Sequence, residues 1–86
     1  MPRISEFFGI IIRMFYRDHA PPHFHAKYAE FTASFSIETL ELIEGYLPRR
    51  AQVLVLEGAN LHRDELRADW ELAQRHQPLN PIDPLE

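Results

Sequence analysis

Three histidines lie within seven positions of one short segment, DHAPPHFHA, which spans residues 18–26. His19 precedes two prolines, and His23 and His25 follow them. Imidazole nitrogens bind divalent ions and exchange protons near neutral pH, so this segment is the first candidate for chemistry. Proline fixes φ and disfavours helix in the residue before it. The segment therefore predicts a stiff loop that leads into an extended strand beginning near His23.

A metal site is the first interpretation of these histidines. In a strand, His23 and His25 lie on one face, roughly 7 Å apart, which lets two imidazoles converge on one ion. His19 can swing in from the loop as the third ligand, and zinc, nickel or manganese would be the metal. No carboxylate completes the set, because we expect Glu41 about 10 Å from His23, two strands away. This interpretation predicts a metal-dependent hydrolase or nuclease.

A surface for a phosphate-bearing ligand is the second interpretation. We predict a strand pairing that places Arg17 opposite His23, Phe15 opposite His25 and Arg13 opposite Lys27. The exposed face would then offer six binding residues: Arg13, Phe15, Arg17, His23, His25 and Lys27. Cations, neighbouring hydroxyls and one aromatic ring suit RNA or a nucleotide. In that case His23 and His25 are also the candidates for metal-free RNA cleavage by proton transfer.

A structural role is the third interpretation, and it stays open. Outward imidazoles can hydrogen-bond the backbone of a proline-rich loop and fix its shape. Ile11, Phe15 and Ile43 on the same predicted face would then form a partner interface. His62 belongs to an apolar stripe further along the chain, and we expect it to be a half-buried packing residue rather than a ligand.

Alternating apolar side chains predict the sheet that must carry the histidines. We place four antiparallel strands, at residues 10–16, 23–28, 31–37 and 40–46. Two-residue turns at 29–30 and 38–39 would pair Tyr28 with Phe31 and Phe35 with Leu42, which keeps apolar residues on one face. The longer loop at 18–22 would pair Met14 with Ala26.

After Pro48 the apolar residues change to helical spacing. Three- and four-residue steps connect Val55, Ala59, His62, Leu66, Trp70 and Ala73. This stripe predicts one long C-terminal helix that covers the apolar face of the sheet, with two shorter helices as the alternative near Asn60. Gly58 within the stripe favours a kink or a close contact. The fold class is therefore α+β: a four-stranded meander and a helix in residues 1–76, then a proline-rich tail in residues 77–86.

The bulk composition indicates one small domain. The 86 residues are 45% hydrophobic and 12% aromatic, which argues against disorder. The chain has no cysteine, so neither a disulfide nor a thiolate metal site is available. A net charge of −4 argues against a protein that coats nucleic acid. With no long apolar run and no signal pattern, we expect a cytoplasmic protein that does not bind membranes.

Several segments together resemble one bacterial family. They are MPRIS, GIIIRMFYRDHAPPHFHAKY, LPRRA, LHRDEL and PIDPLE, and residues 18–26 are the most specific of them. Over essentially its whole length, the chain resembles the family catalogued as domain of unknown function 4160. Gly58 stands where we expect a bulky aromatic residue, and Ala29 stands where we expect glycine. The resemblance implies a bacterial protein encoded beside another small protein, in a pair of toxin–antitoxin type, and it implies no catalytic residues.

These observations leave two functional hypotheses. In the leading one, the chain is an interaction module of a two-gene system, and its exposed face binds the co-encoded small protein or an RNA. The residues of that face would be Arg13, Arg17, His23 and His25, and a homodimer through the same face is a further expectation. The alternative is the metal-dependent hydrolase centred on His19, His23 and His25.

Overall fold

The computed structural model describes residues 3–84 as one antiparallel sheet and two helices. The elements are β1 Arg3–Phe7, β2 Ile10–Arg13, β3 His23–Tyr28, β4 Phe31–Ser36, β5 Leu42–Gly45, α1 Arg49–Leu61 and α2 Arg63–Gln74. The strands follow one another across the sheet in chain order. The α+β class and the antiparallel meander are therefore confirmed. The predicted four strands and single long helix are wrong, because the described chain has five strands and two helices.

The additional strand is β1, and an irregularity hides it in the sequence. Its two buried side chains, Ile4 and Phe7, lie three positions apart instead of alternating. The pairing of β1 with β2 shifts register between Arg3 and Ser5, which inserts an extra residue into the strand. A tight turn at Phe8 and Gly9, with φ of 50° and 78°, closes the hairpin. Positive φ at both central residues matches the twist of paired strands.

The next two hairpins show where hydrophobic alternation fixes register and where it does not. Between β3 and β4, Tyr28 pairs with Phe31 as predicted, and Ala29 in the turn has a φ of 54°. Between β2 and β3, Arg13 pairs with His25 instead of Lys27. The predicted register of this hairpin is therefore wrong by two residues. A shift of two keeps every side chain on its own face, so the apolar pattern cannot distinguish the two registers.

Both helices pack on one face of the sheet and enclose the core with it. The largest fully buried side chains include Phe24, Phe35, Ile10, Met14, Ile37, Leu47 and Val55. The helical segment divides at His62, whose φ of −115° and ψ of 27° lie outside the helical range. Gly58 in α1 allows a close approach, since a Cβ there would lie 3.3 Å from Cζ of Phe7. The ring of Phe7 thus takes up the space beside Gly58.

The C-terminal segment contacts the domain through Asn80 and Ile82. Ile82 is buried in the core, and its N–H donates to the carbonyl of Ile4 at 2.7 Å. The N–H of Asn80 donates to Oδ1 of Asp69 on α2 at 2.9 Å. The tail therefore covers the side of the sheet where β1 meets the helices. In residues 3–84, neither helix is long and apolar enough to cross a membrane.

Candidate metal centre

The connection from β2 to β3, residues 14–22, is held against the end of α2. The N–H of Arg17 donates to the carbonyl of Ala73 at 3.2 Å, and Nε2 of Gln74 donates to the carbonyl of Asp18 at 3.0 Å. The peptide bond between Ala20 and Pro21 is cis. The two hydrogen bonds to α2 hold the loop where the carboxylate of Asp18 lies over the first residues of β3.

The Asp18 carboxylate meets two imidazoles there. Its Oδ2 lies 2.9 Å from Nε2 of His23 and 3.3 Å from Nε2 of His25. The three ligand atoms all lie within 4.8 Å of one another. Around a tetrahedral ion with bonds of about 2.0–2.1 Å, neighbouring ligand atoms are about 3.3 Å apart. The Asp18, His23 and His25 side chains, hereafter the triad, are thus close enough to one another to converge on one divalent ion.

The other ring nitrogens of the triad fix how the imidazoles face the carboxylate. Nδ1 of His23 donates to the carbonyl of Pro21 at 2.6 Å, and Nδ1 of His25 lies 3.1 Å from the hydroxyl of Ser34. A carbonyl only accepts, so Nδ1 of His23 carries a proton, and Nε2 faces the carboxylate. The contact between Nε2 of His23 and Oδ2 of Asp18 is favourable when Nε2 also carries a proton or when a cation lies between the two atoms. Anchoring of one nitrogen is the usual support for a histidine that binds metal through the other.

The triad is less exposed than the sequence predicted. His23 is only 5% exposed and packs on Trp70 of α2, with ring centroids 5.2 Å apart. The prediction that His23 faces solvent is therefore wrong, because Trp70 of α2 packs on its ring. His25 is half-buried. Its ring is in edge contact with the ring of Phe15, with ring centroids 4.3 Å apart. The face open to solvent is thus narrower than the predicted row of cations and histidines.

The electrostatics of Asp18 and His25 favour the protonation states that bind metal. Burial raises the pKa of Asp18, but hydrogen bonds from His19 and His25 outweigh this effect, and the pKa falls to about 2. Burial lowers the pKa of His25, and the hydrogen bond with Asp18 offsets only part of that effect. Near neutral pH, Asp18 is therefore a carboxylate and His25 is a neutral imidazole. Metal ions bind these forms and compete with protons for the others.

His19 takes a different place from the one predicted. Its side chain is 88% exposed, and Nδ1 lies 2.8 Å from Oδ1 of Asp18, the carboxylate oxygen that faces away from the other two histidines. The structure thus groups Asp18, rather than His19, with His23 and His25. The only sign of this third ligand in the sequence was that Asp18, a carboxylate, directly precedes His19. Its position over β3 depends on the path of the loop, which residue spacing does not predict.

An open cleft of about 420 Å³ leads to the triad. Besides the triad and His19, its lining includes Phe15, Arg17, Ile43 and Glu44. Strand register places Arg13, His25, Ser34 and Glu44 in one row across β2 to β5. Glu44, not Glu41, is therefore the carboxylate two strands from the histidine pair. Nζ of Lys27 donates to the carbonyl of Ala29 at 2.6 Å, so this predicted cation is directed towards the β3–β4 turn.

These features define a small α+β protein with a candidate divalent-metal centre at one end of its sheet. The family model described as Domain of unknown function (DUF4160) matches residues 9–71, and the chain belongs to this family. The match includes every residue of the triad. No curated protein and no solved structure matches the chain.

Proposed function

We propose that the protein binds one divalent metal ion at the triad and uses it as a metal-dependent hydrolase. The observation that carries this proposal is the convergence of three ligand atoms within 4.8 Å, with a hydrogen bond at Nδ1 of both histidines. Three protein ligands leave coordination positions free for water and substrate, as in catalytic zinc sites. The cleft gives a substrate access to those positions.

The donor set limits which metals suit the triad. Imidazole nitrogens favour zinc, nickel and iron, and a carboxylate also accommodates manganese. Two histidines and one carboxylate are also the ligands of iron(II) oxygenases. We favour hydrolysis because it needs only water as co-reactant and because a carboxylate, Glu44, lines the same cleft. Zinc and manganese are therefore the first ions to test.

The residues around the triad have distinct roles in this proposal. A bound divalent ion would lower the pKa of a water and polarise the bond to be cleaved. Glu44 accepts the proton that the water gives up and returns it to the leaving group. Asp18 supplies the negative charge that holds the ion, while His23 and His25 fix its position. The substrate bond breaks as the bond to the water oxygen forms, and no electrons are exchanged with a second reactant.

Metal binding is measurable through Trp70, the only tryptophan of the chain, since its ring contacts His23. Untagged protein treated with a chelator is titrated with Zn²⁺, Mn²⁺ and Ni²⁺ by fluorescence and calorimetry. We expect one ion per chain and an affinity about a hundredfold lower in Asp18→Asn and His25→Ala, since these changes remove ligands. His62→Ala is the matched control, because His62 hydrogen-bonds Glu65 and does not line the cleft. Equal affinities in Asp18→Asn and His62→Ala would overturn the proposal.

Binding of a partner protein is a second candidate function, favoured by an edge of the sheet. β5 is the last strand of the described sheet, and near it Leu42, Ile43 and Tyr46 are 44%, 47% and 60% exposed. An apolar strand edge can accept a strand from another chain. The partner would be the co-encoded small protein of a pair of toxin–antitoxin type. A bacterial cytoplasmic location, an RNA partner and a homodimer stay predictions.

Co-purification with the co-encoded protein tests this second function. We expect Ile43→Ser to lose most of the captured partner, because the side chain lies on the exposed edge. Val53→Ser is the matched control, since Val53 is 55% exposed on α1. Equal capture by both variants would exclude the β5 edge as the interface.

A further inference from the structure

Two adjoining grooves meet at the triad on the outer face of the sheet. The first is the cleft already described, which reaches the triad and Arg17. The second is lined by Arg13, Ile11, Lys27 and Thr32 and is hereafter the Arg13 groove. Phe15 and His25 line both grooves, and their rings are in edge contact, with ring centroids 4.3 Å apart. A ligand bound at the triad thus has a second compartment directly beyond Phe15.

Each groove contains an arginine without a carboxylate partner. Within residues 3–84, Arg13 and Arg17 form no ion pair, whereas Arg67 binds both Glu38 and Asp64. Nε of Arg13 is also buried without a hydrogen-bond partner in the described part of the chain. Partial burial of a guanidinium group without an acceptor costs free energy, which an oxyanion bound to the accessible part of Arg13 would offset. These guanidinium groups lie beside the triad in a chain of net charge −4.

The charge of the centre points to the same kind of ligand. A divalent ion held by one carboxylate and two neutral imidazoles leaves the site with a net positive charge. Guanidinium groups recognise phosphate oxygens in a planar, bidentate manner. A neutral carboxylic ester would leave both arginines without partners. A phosphate group between the triad and Arg17 would pair with one of them.

The second compartment distinguishes between phosphate esters. A monoester carries one organic group, so its phosphate ends at the triad and the Arg13 groove stays empty. A diester carries groups on both sides of the phosphate, which matches two grooves on either side of Phe15. The partly exposed ring of Phe15, which lines both grooves, can also stack on a planar group of the ligand. From these observations we infer that the substrate is a phosphodiester whose scissile phosphate lies between the triad and Arg17 and whose second group crosses Phe15 to Arg13.

The inference rests on the proposed hydrolase function and adds the substrate class to it. In the reaction, the oxygen of a water forms a bond to phosphorus, and the bond from phosphorus to one ester oxygen breaks. Glu44 takes the proton from the water and gives it to the departing oxygen. The products are a phosphate monoester and an alcohol, so atoms and charge balance with water as the only co-reactant.

Three chromogenic substrates that share the same leaving group, p-nitrophenolate, test the inference. Full-length protein loaded with Zn²⁺ or Mn²⁺ is assayed with bis(p-nitrophenyl) phosphate, p-nitrophenyl phosphate and p-nitrophenyl acetate, together with the metal titration described above. We expect kcat/KM for the diester to exceed that for the monoester at least about tenfold and Asp18→Asn to abolish turnover. Arg13→Ala and Arg17→Ala should raise KM for the diester about tenfold each, with unchanged metal affinity. Arg17→Lys should recover part of the loss.

The outcomes separate the substrate class from the hydrolase function. Arg49→Ala is the matched control, since Arg49 is exposed on α1 and does not line either groove. If the protein binds metal and hydrolyses the acetate or the monoester in preference to the diester, the hydrolase stands and the phosphodiester inference is overturned. If Arg13→Ala and Arg17→Ala behave like Arg49→Ala, the inference is overturned as well. If metal does not bind, or no ester is cleaved, the proposed function fails and the inference fails with it.

Discussion

Replacement of Asp18 by asparagine is the most informative perturbation, because it affects stability and metal binding by separable amounts. The carboxylate receives hydrogen bonds from His19, His23 and His25, and its pKa falls from 3.8 to about 2 in the folded protein. That difference corresponds to a folding free energy on the order of 2 kcal/mol. The cleft is open to water, so screening reduces the expected loss in Asp18→Asn to about 1–2 kcal/mol at pH 7.

The pH dependence of this loss follows from the direction of the pKa shift. The pKa of Asp18 is lower in the folded state than in the unfolded state. Its contribution to stability is therefore fully present above about pH 4 and disappears as the pH falls through about 2. The difference between the wild-type protein and Asp18→Asn should be constant from pH 7 to pH 5 and should narrow below pH 4.

Urea unfolding followed by Trp70 fluorescence measures both effects. In a chelator, the variant should unfold about 1–2 kcal/mol more readily, and Asp64→Asn, which alters a highly exposed carboxylate, should differ little from wild type. At a metal concentration of 100 times the wild-type Kd, the free energy of unfolding of the wild type rises by about 2.7 kcal/mol and that of the variant hardly changes. The difference in stability between the two proteins therefore grows by about that amount. Equal stability of Asp18→Asn and wild type at pH 7 in chelator would show that the imidazoles do not hold Asp18 as an anion.

Four further variants test other parts of the structure. Asp69→Asn should stabilise the protein at pH 7 by about 1 kcal/mol, because burial raises the pKa of Asp69 and Oδ2 has no partner in the described chain. The gain should shrink towards pH 4, where the folded protein can bind a proton at Asp69. Equal denaturation curves of variant and wild type at both pH values would contradict this. Gly58→Val should lower the free energy of unfolding, measured in urea, by about 2 kcal/mol, because the new side chain contacts Phe7. Adding Phe7→Leu should restore part of this loss. No restoration in the double variant would argue against that contact. Ile82→Ala should cost about 2 kcal/mol, measured in the same way, because its side chain is buried in the core; a loss below about 0.5 kcal/mol would mean that the tail is not docked in solution. Glu44→Gln should lower kcat of the metal-loaded enzyme at least about tenfold while leaving metal affinity unchanged. An unaltered kcat would exclude Glu44 as the base.

The parts of the fold that the sequence predicts are those where local pattern and turn length agree. In the β3–β4 hairpin, strict alternation and a two-residue turn permit one register, and the structure has it. β1 lacks alternation because of its register shift, so Ile4 and Phe7 did not indicate a strand. The helix break was indicated only as an alternative, by Gly58 and Asn60, and the structure places it at His62. The apolar stripe continues across it, and the N–H of Leu66 still donates to the carbonyl of His62.

The candidate site was predicted in part, for a physical reason. The histidine pair follows from the period of a strand, which is a local property. The position of Asp18 depends instead on contacts with Ala73 and Gln74, more than fifty residues away in the chain. The burial of His23 likewise depends on Trp70 of α2. Sequence spacing carries no information about either long-range contact, so the sequence indicated imidazole chemistry and did not assign its carboxylate.

The remaining question is why a loop this well anchored needs two imidazoles at one carboxylate oxygen. A structural role is already met by His23, which joins the carbonyl of Pro21 to Oδ2 of Asp18 and packs on Trp70. His25 adds a second contact to the same oxygen, at 3.3 Å, from a strand position that hydrogen bonds and β-pairing already hold. Two nitrogens in contact with one carboxylate oxygen are a redundant way to fix a loop. It is the arrangement that an ion needs, because the ion requires several ligand atoms on one side and an open approach on the other. The triad also lines an open cleft, and this is why we propose metal chemistry rather than loop support for the histidine pair.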